Sequence, residues 1–190
     1  MRKEMMKIRE ITSIALCLAM LCVSSYVSIP LPFMTTPITA QTIMINTIAL
    51  WLTPAQAMTT MGAYLILGLI GFPVFAGGSS GISVFLRPTG GFLIAFFISV
   101  GVISGLKKRF PQKLGSNIFL TVGIGMPIVY FVGAFWMSIL MEIDFVVAFQ
   151  LSVYPFIVGD LLKCLIACRL VERLNGTMKQ RSVFIKRKLV

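Results

Sequence analysis

The sequence predicts an all-α integral membrane protein with six transmembrane helices and cytoplasmic N and C termini. Three observations carry that prediction. Of 190 residues, 57% are hydrophobic and only 12% are charged, against about a quarter charged in a soluble domain. The apolar residues fall in runs near the ~20 residues that a crossing needs, which leaves room for six in one domain, with short loops and no soluble catalytic lobe. The net charge of +11 is concentrated in three clusters: Arg2, Lys3, Lys7 and Arg9, then Lys107, Lys108, Arg109 and Lys113, then seven Lys and Arg from Arg169 to Lys188. Six crossings put all three on one side, which the positive-inside rule makes cytoplasmic. The charge excess is read as topology, with the lipid bilayer as partner and no nucleic acid.

Helix 1 is expected over about 11–29. Its basic start resembles a secretory signal, but Ile11 to Ile29 is longer than the usual core of about 7–15 residues and has no small-residue cleavage site. Ala15 and Ala19 lie four apart on one face, a small-xxx-small pattern that lets another helix approach closely, from this chain or from a partner subunit. Pro30, Pro32 and Pro37 then interrupt an uncharged segment, Ser28 to Thr42, that reads as an outside loop with inward polar groups. Helix 2 follows over about 39–52. Thr53-Pro54 makes a tight cytoplasmic turn, and Pro54 opens helix 3 over about 54–70.

The stretch GFPVFAGGSSGISVFLRPTGG, Gly71 to Gly91, is the segment around which the chain is arranged. Gly and Pro at this density specify turns and close backbone approach. Irregular backbone near membrane depth is tolerated where protein covers it or where it lines a cavity, so this stretch reads as part of a binding pocket. Helix 4 is expected over about 90–106 and helix 5 over about 116–140, kinked at Pro127. Glu142 and Asp144 mark an outside turn, and Phe145 to Val153 is too short to cross and reads as a surface or re-entrant piece. Pro155 opens helix 6, about 155–174, and Asn175-Gly176 reads as its stop. Cys17, Cys22, Cys164 and Cys168 lie inside apolar runs of a chain without histidine, so they read as small buried hydrophobes and not as a metal site.

Asp160 and Lys163 are the most informative positions. Each ionised side chain costs about 2.5–3.5 kcal/mol at the centre of an inserted helix, and their i, i+3 spacing puts both on one face. A start at Pro155 sets Asp160 roughly 7 Å below the outer end, a depth that suits a pocket filled from outside. A structural ion pair is the alternative. Arg87 offers a guanidinium that can meet a carboxylate at two points or anchor to headgroups. It immediately precedes Pro88, Thr89, Gly90 and Gly91. Gly77 and Gly78, followed by Ser79 and Ser80, can present backbone N–H groups to a ligand carbonyl or carboxylate, with a flexible lid as the alternative. The chain has no His and no GxxxxGK[ST] phosphate loop, so it carries no His-based catalysis and hydrolyses no ATP by itself.

Four stretches, PITAQT (Pro37 to Thr42), GFPVFAGGSSG (Gly71 to Gly81), RPTGGFL (Arg87 to Leu93) and PFIVGDLLK (Pro155 to Lys163), resemble in order and spacing the motifs of the BioY family, the biotin-binding S components of energy-coupling factor (ECF) transporters. The resemblance covers most of the chain. It implies an S-component-like bundle that captures biotin from outside a bacterial cell membrane and docks on a transmembrane T component driven by two ABC ATPases. Ala15 and Ala19 resemble the face that meets the T component. Biotin is then a substrate; no cofactor and no enzymatic activity is expected. The chemistry agrees: Asp160 would accept from the ureido N–H groups, while Lys163 would donate to the ureido oxygen or offset the carboxylate. Gln41, Thr89 and the Gly77-Gly78-Ser79 backbone would add polar contacts, with Arg87 near the tail carboxylate. Arg87 departs from the family pattern, which places a small residue, usually glycine, at that position.

Three other readings compete on the residues alone. They are an S component for another vitamin such as thiamin or riboflavin, an intramembrane enzyme using Asp160 and Lys163 as acid and base, and a membrane assembly subunit.

Overall fold

Local chemistry sets where each helix begins and ends. A computed structural model of the chain describes the backbone of residues 2–29 and 38–188 and the side chains of 7–28 and 39–177. The proline loop expected at Pro30, Pro32 and Pro37 lies outside the described residues. Helix α1 runs from Arg2 to Tyr26, so it starts before the apolar run and takes in the basic N-terminal cluster. Two short strands, β1 (Ser28–Ile29) and β2 (Ile38–Thr39), pair antiparallel with Ser28 opposite Thr39.

Helices α2 (Gln41–Trp51) and α3 (Pro54–Leu69) follow. Between them the Thr53 hydroxyl accepts from the Gln56 N–H, and the Gln56 side chain accepts from the Thr53 N–H. This reciprocal cap satisfies two of the orphan donors at the start of α3, with Pro54 in the first turn. Lys107 closes the same corner from the far side. It is buried, and its Nζ donates to the carbonyls of Leu50 and Leu52 at the end of α2. One member of the predicted cytoplasmic cluster thus serves as a helix C-terminal clamp, where cations are favoured.

Helix α4 spans Gly90–Leu106, as the sequence predicts. The next crossing is not a simple kinked helix. Helix α5 (Leu114–Ile118) passes into a π-helical segment, Phe119–Gly125, and then into α6 (Met126–Met141). The Met126 N–H reaches back to the Thr121 carbonyl, and Pro127 beside it has no N–H to give, so the irregularity sits in the turn before the proline. Glu142 takes a left-handed conformation with φ 52°, and Asp144 caps α7 (Phe145–Ser152) by accepting from the Val146 N–H at 3.0 Å. Helix α8 runs from Ile157 to Lys188. Asn175-Gly176 does not stop it, because a helical glycine costs only about 1 kcal/mol.

Three helical stretches among the described residues are long and apolar enough to cross a bilayer, Lys7–Tyr26, Gly90–Arg109 and Leu114–Met141. The pair α7 and α8, bent by 58°, makes a fourth if counted as one span. The expectation of six is not met by this measure because α2 and α3, with 11 and 16 residues, fall short of the ~20 needed. Helix α2 is packed by α1, α4 and α8, with Met44, Ile45, Ile48, Ala49 and Leu50 all buried. Large apolar side chains such as Val23, Phe131 and Leu162 point outward, as expected where hydrocarbon is the solvent.

The loop between α3 and α4 is tied down at several points. Gly77 and Gly78 have φ of 67° and 75°, a conformation open to glycine at little cost. The turn they form is closed by Gly78 N–H donating to the Phe75 carbonyl at 2.9 Å. It folds the Phe75 ring onto Gly68, where an added Cβ would lie 2.0 Å from that ring. Phe75 is buried and meets Tyr64 and Phe85 edge-on, with centroids 5.5 and 5.7 Å apart. The Tyr64 hydroxyl donates to the Val74 carbonyl at 2.9 Å. The glycine-rich stretch is therefore a shaped wall anchored to the core.

Candidate functional site

A cavity of about 450 Å³ opens where the loop, α2, α4, α6 and the α7–α8 bend converge. Its size lies within the ~300–1,000 Å³ of small-molecule sites. Phe75 and Val84 come from the loop, Phe92, Leu93 and Phe96 from α4, Val129 from α6 and Phe156 from the bend. The wall is thus mainly apolar and aromatic, with polar groups set into it at a few positions.

Asp160 and Lys163 are the charged members of that set on α8, and both line the cavity. Lys163 Nζ lies 3.1 Å from Asp160 Oδ1, with side chains 13% and 17% exposed respectively. The other carboxylate oxygen, Oδ2, accepts from the Tyr130 hydroxyl of α6 at 3.0 Å. Each carboxylate oxygen therefore has one fixed donor, and a carboxylate has further lone pairs to offer. The pair is neither sealed away nor bonded only within itself. Asp160 is three residues beyond the first residue of α8, which puts it about 5 Å along the helix.

Of the other residues singled out in the sequence, Gln41, Ser79, Arg87 and Thr89 also line the cavity. Gln41 is buried at the start of α2, and its Nε2 donates to the Tyr64 hydroxyl at 2.9 Å. That bond links the cavity wall to the anchored loop. Thr89 occupies the N-cap of α4 without spending its hydroxyl on the cap. Arg87 is exposed at the mouth, and its carbonyl accepts from Trp136 Nε1 at 3.3 Å. Ser79 Oγ donates to the Ala76 carbonyl at 2.9 Å. Gly77 and Gly78 are not brought into the lining. The Gly78 N–H is already committed to the Phe75 carbonyl, so the two glycines shape the turn that carries Ser79. Ala15 and Ala19 lie far along the chain from the site, exposed on α1.

Sequence reasoning missed Tyr130 and the aromatic lining. Tyr130 carried one usable signal, since a tyrosine in an apolar crossing needs a partner for its hydroxyl. The phenylalanines carried none, because a lipid-facing Phe and a cavity-lining Phe look alike in a hydrophobic run. The four cysteines are free thiols; Cys17, Cys164 and Cys168 are buried and Cys22 is partly so. Cys164 Sγ accepts from Asn46 Nδ2 at 3.4 Å.

Fold and site together define a multi-pass membrane protein with a cavity of small-molecule size whose wall includes the Asp160–Lys163 ion pair. The sequence matches the BioY family over residues 1–180, and the chain belongs to that family. It is 37% identical over 171 residues to a probable biotin transporter BioY of Pyrococcus horikoshii, spanning 90% of this chain and 99% of that one. Against the biotin transporter BioY2 of Lactococcus lactis it is 32% identical over 177 residues, spanning 91% and 96%. The fold matches the crystal structure of the S-component for biotin from an ECF-type ABC transporter with a TM-score of 0.83 at 31% identity, covering 90% of this chain and 93% of that one.

Proposed function

We propose that this chain is the substrate-binding membrane subunit that captures biotin from outside the cell for an ECF-type ATP-driven uptake system. The single observation that carries the reading is the placement of the Asp160–Lys163 pair in the wall of a cavity lined by aromatic rings. Biotin has an apolar fused ring, a ureido group with two N–H donors and one carbonyl acceptor, and an anionic tail. Asp160 accepts from the ureido N–H groups, and Lys163 donates to the ureido oxygen or offsets the tail carboxylate. The rings of Phe92, Phe96 and Phe156 shelter the bicycle. Arg87 at the mouth meets the tail, with Gln41, Ser79 and Thr89 as further polar contacts.

The biotin transporters of Pyrococcus horikoshii and Lactococcus lactis support biotin as substrate, and the likeness to an S-component of an ECF-type ABC transporter supports an ECF assembly. In that assembly the chain docks on a transmembrane T component served by two ABC ATPases, and the exposed Ala15–Ala19 face of α1 is the contact surface. The chain itself is not an enzyme and needs no cofactor. It sits in a bacterial cell membrane with both termini in the cytoplasm, α2 and α3 completing six passes.

Purification in detergent followed by mass spectrometry of the co-purified small molecules tests the reading. Biotin released on denaturation is the expected result. Release of thiamin or riboflavin in its place would reassign the substrate, and a protein that neither carries nor takes up any vitamin would overturn the reading.

A further inference from the structure

Among the described residues, two buried side-chain polar atoms have no hydrogen-bond partner, Thr42 Oγ1 and Ser152 Oγ. Both residues line the cavity. Buried polar groups are otherwise almost always satisfied, so each such exception calls for a physical explanation.

Three buried helical threonines show what these two forgo. Thr47, Thr60 and Thr121 each donate to the carbonyl four residues back, at 2.8, 2.8 and 2.9 Å, the usual outlet for a hydroxyl inside a helix. Thr42 is the second residue of α2, so the position four back, Ile38, lies in β2 and offers no helical carbonyl. Ser152 ends α7 and has Ala148 four back within the same helix, yet its hydroxyl is not bonded there. It is only 2% exposed, so bulk water does not compensate it.

Thr42 also lines a smaller hollow of about 30 Å³ that shares Asp160 and Tyr130 with the main cavity. That sets Thr42 at the same end as the charged pair, whereas Ser152 faces the main cavity alone.

We propose that Thr42 and Ser152 are ligand-contacting residues whose hydroxyls find their partners on the bound molecule, with Thr42 serving the same polar head as Asp160. The inference rests on the biotin reading and extends it: the hydroxyls help to select a ligand that carries hydrogen-bonding groups at those two points. An apolar molecule of the same size would leave both unsatisfied.

The test compares Thr42→Val and Ser152→Ala with wild type by biotin titration and by thermal unfolding without ligand. A hydroxyl whose partner is the ligand weakens biotin binding by about ten-fold when removed. Its loss leaves the ligand-free melting temperature unchanged or raised, since a buried group without a partner is relieved. Thr42→Ser, which keeps the hydroxyl, retains affinity. The Thr42→Val loss is the same for biotin and for its methyl ester, because the ester alters only the tail. Affinities within two-fold of wild type, or a lowered ligand-free melting temperature, would overturn the proposal. A wild-type protein that fails to bind biotin would defeat the functional reading itself, whereas variants that bind as well as a biotin-binding wild type defeat this inference alone.

Discussion

Lys163 Nζ and Asp160 Oδ1 lie 3.1 Å apart on one face of α8, and both side chains form part of a cavity wall. A pair that served only to tie helices together would have no need of an opening beside it. In the function proposed above, the ion pair is the pre-formed polar end that receives the guest. Tyr130 holds it from the side, and the loop that the core keeps in place forms another part of the same cavity wall.

Asp160→Asn removes the charge that Lys163 faces and replaces two acceptor oxygens with one acceptor and one donor. Asp160 is proposed to accept from both ureido N–H groups, and hydrogen bonds to a charged group contribute about 1.5–3 kcal/mol each, so losing the charge and one acceptor is expected to cost about 3 kcal/mol, or ~100-fold in affinity. Isothermal titration of the variant with biotin checks this, with a change below ten-fold counting against the assignment.

Tyr130→Phe keeps the ring and removes the donor on Asp160 Oδ2. A hydrogen bond to a charged group contributes about 1.5–3 kcal/mol. Part of that loss is recovered when the freed oxygen takes a bond from the ligand or water, so the expected weakening is about ten-fold, smaller than for Asp160→Asn. Titration of both variants in parallel gives the order.

Lys107→Met leaves the Leu50 and Leu52 carbonyls without their buried donor. The expected loss is about 2 kcal/mol of stability, read as a lower melting temperature in detergent. Biotin affinity should stay near wild type, because Lys107 lies outside the cavity lining. A variant that melts like wild type would show that the clamp contributes nothing.

Gly91→Ala tests the α4–α6 contact. An added Cβ would lie 2.2 Å from Trp136 Cβ, so one helix must move. Overpacking of this kind costs about 1–3 kcal/mol, and the displacement also shifts Phe92 and Leu93 in the cavity wall. Lower melting temperature and weaker biotin binding should appear together. Unchanged values of both would show that the two helices separate freely.

Much of this architecture is legible in the sequence because membrane solvation punishes exceptions. A charge in an oily run, as at Asp160 and Lys163, or a dense glycine and proline stretch, as at Gly71 to Gly91, survives only with a structural reason. Helix α4 falls where the sequence predicts because its apolar run is bounded by Gly90 on one side and by basic residues on the other. The start of α1 and the end of α8 lie beyond expectation because polar residues continue both helices past the apolar run, whereas α1 stops at Tyr26 where the chain turns into β1. Proline at 127 signals a distortion but not its kind, since a π-helical turn and a kink have the same sequence mark. Lys107 reads from its neighbours as a surface charge, and nothing local distinguishes a clamp from a solvated lysine. Gly77 and Gly78 read as ligand donors, but the turn itself takes the Gly78 N–H.

The most direct measurement is a binding titration of the purified wild-type protein with biotin, thiamin and riboflavin under identical conditions. Saturable binding of one biotin per chain, with no measurable binding of the other two, is the result expected from an acid and an amine set in an aromatic cavity of this size. Failure to bind biotin, or equal binding of thiamin, would contradict it.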